Sequence, residues 1–144
     1  MRVYSDSSFL VSCYLPDANT SQAKAYLDGH DEPLPFTALH DLEVRNAFRL
    51  GVFRGVLTKQ QMKAAAANLD ADVRAGRFVR TTLPWPVVFR LASRVSARHA
   101  VATGTRSLDI LHVAAAKVLR LKMFVSFDAR QRVLATAAGL TDAL

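Results

Sequence analysis

The chain has 144 residues, 51% of them hydrophobic and 22% charged, which suits one compact domain that buries its own core and excludes disordered and repeat architectures. Its formal charge of +7 favours a polyanionic partner, with nucleic acid the leading class and an ordinary basic soluble protein the alternative. Cys13 is the only cysteine, which excludes an intrachain disulfide and a thiolate zinc cluster and points to a buried thiol in a reducing cytoplasm. Phe9-Leu10-Val11 is too short for a signal-peptide core, and no apolar stretch nears the ~18 residues that span a bilayer, so a soluble cytoplasmic protein off the membrane is expected.

In chain order, Arg2-Val3-Tyr4-Ser5 reads as a strand and Ser8 to Tyr14 as a helix broken by Pro16. A second helix runs from Asn19 to Asp28 and stops at Gly29. Leu34 to Ala38 reads as a strand weakened by its prolines, leading into a helix from His40 to Arg54 that Gly55 terminates. Thr58 and Gln61 have capping-box spacing and start a long Ala-rich helix to Ala75, with Gly76 as its stop and Arg77 to Thr81 as the next strand. Pro86 opens a helix through Ala102, and Gly104 separates it from the very apolar helix Leu108 to Leu121. Met123 to Phe127 is a buried strand, and a last helix from Ala129 to Ala138 ends at Gly139. Strands separated by helices predict a three-layer α/β/α domain over residues 1–144, with a mostly parallel central sheet and no linker.

Open parallel sheets bind ligands beyond the carboxyl ends of their strands, so polar residues just after apolar strands carry the most information. Asp6 follows Val3-Tyr4-Ser5, and Asp128 follows Phe124-Val125-Ser126-Phe127. Each also suits a plain N-cap, with neither reading ahead for one residue taken alone. Asp109 lies near the start of a helix that is apolar nearly all round. A buried carboxylate there gains from the helix dipole, yet desolvation costs several kcal/mol unless a cation, metal or Arg106, compensates it. Glu43 alone reads as an ordinary solvated glutamate, and its case rests on company. Clustered carboxylates repel one another, and hard cations want oxygen ligands, so such a group implies bound Mg²⁺ or Mn²⁺, the ions that support phosphodiester hydrolysis.

At these residues the sequence resembles the PIN-domain ribonucleases, particularly the toxin subunits of VapBC toxin-antitoxin pairs, along nearly its whole length. Tyr4-Ser5-Asp6-Ser7-Ser8 resembles the opening strand of that family, and Leu42-Glu43-Val44-Arg45-Asn46-Ala47 its second acidic segment. Arg106 to Ala116 is similar to the third, and Phe124 to Gln131 to the fourth. Each motif is common by itself; their order and spacing together are specific. The resemblance implies an endoribonuclease in which Asp6, Glu43, Asp109 and Asp128 bind Mg²⁺ or Mn²⁺ and position water, leaving a 5′-phosphate and a 3′-hydroxyl, with Ser126 in support. It further implies a homodimer and a small VapB-like antitoxin partner. The chain departs from the family at Thr141-Asp142-Ala143-Leu144, where the usual final strand is expected to be short or absent.

Rival readings use the same residues. His40 with Glu43, and Asp109 with His112, have the spacing of di-iron bundle ligands, but too few further ligands accompany them, and His112 fits packing beside the site, or a core hydrogen bond, better than metal ligation. Arg45 and Arg49 could track an RNA backbone, as could the row Arg90, Arg94, Arg98, for which a solvated face is the plainer reading. Trp85 between Pro84 and Pro86 fits a pinned turn better than a base-stacking platform. A PIN nuclease of RNA processing and a non-catalytic RNA- or protein-binding module remain as alternatives to the toxin.

Overall fold

The computed structural model describes every residue from Met1 to Leu144. The elements run β1 (Val3–Ser5), α1 (Ser7–Tyr14), α2 (Thr20–Asp28), β2 (Leu34–Phe36), α3 (Ala38–Phe53) and α4 (Lys59–Arg74), then β3 (Phe78–Arg80) and α5 (Trp85–Thr103). They continue with α6 (Ser107–Val118), β4 (Met123–Val125), α7 (Ala129–Ala137) and β5 (Thr141–Asp142). Each element forms where the spacing of apolar and turn residues predicts it, with ends moved by a residue or a few. All strand pairs are parallel, as expected of strands joined through helices. They pair in two sheets, a three-stranded one in the order β1-β4-β5 and a two-stranded one of β2 and β3.

The chain divides into two compact units, Met1–Asp6 with Thr82–Leu144, and Ser7–Thr81. In the first, β1 is buried at all its positions and pairs Tyr4 with Phe124 on β4, whose rings stack at 5.7 Å between centroids. Helix α6 is apolar enough to bury Ile110 through Ala116 without a break. Its His112 is a core residue as the sequence suggests: Nδ1 shares a 2.9 Å hydrogen bond with the Tyr4 hydroxyl, and both side chains are buried. The expected weakness of the C-terminal strand is borne out, since β5 has two residues, Thr141 and Asp142, paired with Met123 and Phe124. Partial burial is the largest single influence on the Asp142 carboxyl and raises its pKa, but the hydrogen bond and charge of Arg132 together with the Leu144 and Ala143 amides outweigh it and hold the group below its ordinary value.

In the second unit, Phe36, Phe48, Phe78 and Leu69 are fully buried, and Tyr14 sets its ring edge-on to Phe48 and Phe78. Burying each such aromatic ring contributes about 1.5–3 kcal/mol. Pro35 is tolerated in β2 because that strand has a partner on one side only, β3. Helix α4 starts with the capping box read from sequence: Thr58 Oγ1 accepts from the Gln61 amide, and Gln61 Oε1 accepts from the Thr58 amide. Helix α3 starts with one that spacing rules overlook, because a histidine closes it. The Thr37 amide donates to His40 Nδ1 at 3.0 Å while the His40 amide donates to Thr37 Oγ1. Cys13 is a buried thiol donating to the Phe9 carbonyl; burial, with Asp72 adding, pushes its pKa up to about 12. No helix of the structure is long and apolar enough to cross a membrane.

Candidate acidic site

The carboxyl ends of β1 and β4 deliver two of the predicted acids. The Asp6 amide extends the ladder past β1 by donating to the Val125 carbonyl at 3.1 Å, which fixes its side chain at the strand end, where it is 2% exposed. Immediately after β4, Ser126 is fully buried and donates from Oγ to Asp6 Oδ2 at 2.7 Å. The same oxygen accepts the Asp128 amide at 3.0 Å. One hydroxyl thus ties the first acidic position to the fourth. Its single proton goes to the carboxylate, because Gln131 Oε1 stands farther off at 3.4 Å and a charged acceptor gives the stronger bond.

Asp128 is also the N-cap of α7, as the plain reading of its position holds. Oδ1 accepts from the Arg130 and Gln131 amides at 2.8 and 3.2 Å. That leaves Oδ2 outside the cap. Asp109 sits in the first turn of α6, where the helix dipole favours negative charge. Arg106 approaches it, Nε to Oδ2 at 3.4 Å, with the carboxylate 22% and the guanidinium 82% exposed. Asp109 and Asp128 line one open pocket of about 250 Å³ together with Thr105, Arg106 and Arg130.

Gln131 is the residue that sequence reading missed. It is buried, and its Nε2 donates to the Asp109 carbonyl at 3.2 Å, so α7 holds the start of α6 in place. The available signal was its position three residues after the Asp128 cap, the spacing of a capping box. Asp6, Ser126, Asp128, Gln131 and Asp109 therefore form one connected network within the first unit.

Glu43 lies in the second unit, on α3, half-buried rather than fully solvated. Ser7, the residue after Asp6, donates from Oγ to its Oε1 at 3.0 Å. Arg45 is already engaged: Nε donates to Asp41 at 2.9 Å and Nη2 to Asp70 at 2.6 Å. The bond to Asp70 is the main reason its pKa stands above the ordinary value, partial burial opposing it and Asp41 assisting. With two carboxylates on it, Arg45 is a poor phosphate ligand, whereas Arg49 is exposed. His40 Nδ1 closes the α3 cap, which takes that nitrogen from a metal reading.

The oxygen-only donor set of Asp6, Asp109, Asp128 and the Ser126 hydroxyl suits a hard divalent cation. In their present rotamers no three carboxylate or imidazole groups stand at metal-binding separation. Asp109 faces Arg106 and Asp128 caps α7, while Asp6 is bonded to Ser126.

The PIN domain family model matches residues 3–137. The chain belongs to the PIN-domain family. Its α/β fold of parallel strands is the three-layer class that the sequence predicts. Solved structures share this fold: FitAcB from Neisseria gonorrhoeae has 19% sequence identity and a TM-score of 0.68, with 97% of this chain and 95% of that chain covered. PAE2754 from Pyrobaculum aerophilum has 17% identity and a TM-score of 0.62, covering 99% and 83%. VapC20 from Mycobacterium tuberculosis, described as a sarcin-ricin loop cleaving toxin, has 18% identity and a TM-score of 0.64, covering 96% of each chain. No curated protein sequence matches the chain.

Proposed function

We propose that this PIN protein is a divalent-metal-dependent endoribonuclease, the toxin of a toxin-antitoxin pair, with residues 1–144 acting as one domain in a cytoplasmic homodimer neutralised by a VapB-like antitoxin. The observation that carries the reading is the Ser126 hydroxyl, which bonds Asp6 and receives the Asp128 amide at the adjoining strand ends. A purely structural junction needs an N-cap, and Asp128 supplies it; it does not need a second, buried carboxylate at the same place. Family membership and the description of VapC20 as an RNA-cleaving toxin support RNA as the substrate.

Asp6, Glu43, Asp109 and Asp128 would hold Mg²⁺ or Mn²⁺. When bound, such a cation activates water, neutralises charge at the scissile phosphate and stabilises the leaving oxygen. Ser126 fixes the Asp6 carboxylate by hydrogen bonding, and Gln131 fixes the backbone that carries Asp109. Arg106 and Arg130 beside the pocket offer positive charge to a phosphate drawn towards it.

The test is cleavage of a mixed structured-RNA pool with Mg²⁺ or Mn²⁺ by the wild-type chain, Asp6→Asn and Asp109→Asn. Metal-dependent cutting that both substitutions abolish is the expected result. Equal cutting by all three proteins would remove the acidic site from the reaction.

A further inference from the structure

Helix α5 carries Arg90, Arg94 and Arg98 and no acidic residue at all. All three arginines are exposed, and their spacing of four residues sets them in a row about 6 Å apart along the axis. A row of like charges that no carboxylate offsets is electrostatically unfavourable in the free protein and becomes favourable against an anionic strand. The adjacent face of α5 borders a groove of about 440 Å³ shared with α6. Phe89 stands at that groove, 55% exposed, and Ser93, Ser96 and Ser107 bring hydroxyls to it beside the apolar Ile110. At the corner between α5 and α6, Gly104, Thr105 and Arg106 line the acidic pocket and the next residue, Ser107, lines the groove. Gly104 makes this corner with a left-handed backbone (φ 65°) and no atom near its missing Cβ.

We propose that the arginine row and this groove are a binding track for a single strand of RNA. Arg90, Arg94 and Arg98 hold successive phosphates, Phe89 stacks on a base, and the serine hydroxyls meet base edges. Single-strand tracks combine these same elements, a cationic line and an aromatic platform. The inference rests on RNA being the substrate, and binding tests it separately from cutting.

The measurement is fluorescence anisotropy of a fluorescein-labelled single-stranded RNA of mixed sequence, about 12 nucleotides long, a length such grooves cover, titrated with the whole chain in EDTA over a range of KCl. Replacing Arg90, Arg94 and Arg98 together by Gln is expected to weaken binding and lower the slope of log K against log salt by about 2, at roughly 0.7 per phosphate. Phe89→Ala should weaken binding by about ten-fold and leave the slope unchanged. A control with Lys24, Lys59 and Arg74 replaced by Gln removes equal charge elsewhere and should keep the wild-type slope. The track is overturned if the wild-type chain does not bind the strand, if the arginine variant keeps the wild-type slope, or if the control lowers it equally. It is also overturned if sedimentation shows the arginine variant altering self-association with RNA binding intact. Arginine-dependent binding by a chain that cuts no RNA leaves the track standing and the nuclease reading failed; cutting with an arginine-independent slope does the reverse.

Discussion

Two strand-to-helix junctions of this protein solve the same local problem with different residues. After β2, Thr37 and His40 satisfy each other's backbone amides and close the start of α3, and both are fully buried. After β4, Asp128 caps α7 with one oxygen, while Ser126 turns its hydroxyl to the Asp6 carboxylate at the end of β1. The capping bonds of the first junction close within one turn of chain. The second gathers polar groups from separate strands around a buried carboxyl group, whose burial has to be offset by hydrogen bonds or charge. A junction whose polar groups exceed its capping needs is the better functional candidate.

The largest expected effect concerns whether the two regions share one fold. Phe124→Ala in the first unit and Phe48→Ala in the second should each cost about 3–5 kcal/mol in urea unfolding. If residues 1–144 act as one domain, each variant shifts a single transition seen alike by fluorescence and far-UV circular dichroism. A second transition in either variant would show two units unfolding independently.

Ser126→Ala sharpens the contrast between the junctions. It removes the donor to Asp6 and the acceptor of the Asp128 amide, and metal-dependent RNA cleavage should fall by about 10- to 100-fold, as when a ligand loses its supporting hydrogen bond. The half-saturating Mn²⁺ concentration should rise with it. Unchanged activity would reduce the Ser126 network to a fold device.

Thr37→Ala and Thr58→Ala compare a buried with an exposed capping box. Each should destabilise by about 1 kcal/mol, with the buried Thr37 at the upper end near 2 kcal/mol, and neither should affect RNA binding. Asp142→Asn is the smallest change. The Asp142 pKa lies below its ordinary value in the folded chain, so its stabilisation is present above the usual carboxylate range and is lost as pH falls through the lowered folded value. With the pair partly solvent-exposed, the loss should be under about 1 kcal/mol. It should disappear in acid, where wild type and variant converge in thermal melts.

Much of this architecture is legible locally. The run Met123-Phe124-Val125, the glycines at 55, 76, 104 and 139, and the Thr58–Gln61 box act over one or two turns of chain, so spacing alone locates the elements they bound. The placement of Asp6 and Asp128 just beyond strands and of Asp109 in the first turn of a helix was equally legible, because it depends on local boundaries; Glu43, inside α3, had no such signal. What tertiary structure decided was their company. Nothing in the sequence around Ser126 says that its hydroxyl reaches a carboxylate 120 residues away, that Gln131 braces the turn carrying Asp109, or that Arg45 is taken by Asp70. These bonds join segments distant in sequence, and their partners are set by how the helices and strands pack. Propensity and periodicity carry no record of that, since they act only along the chain.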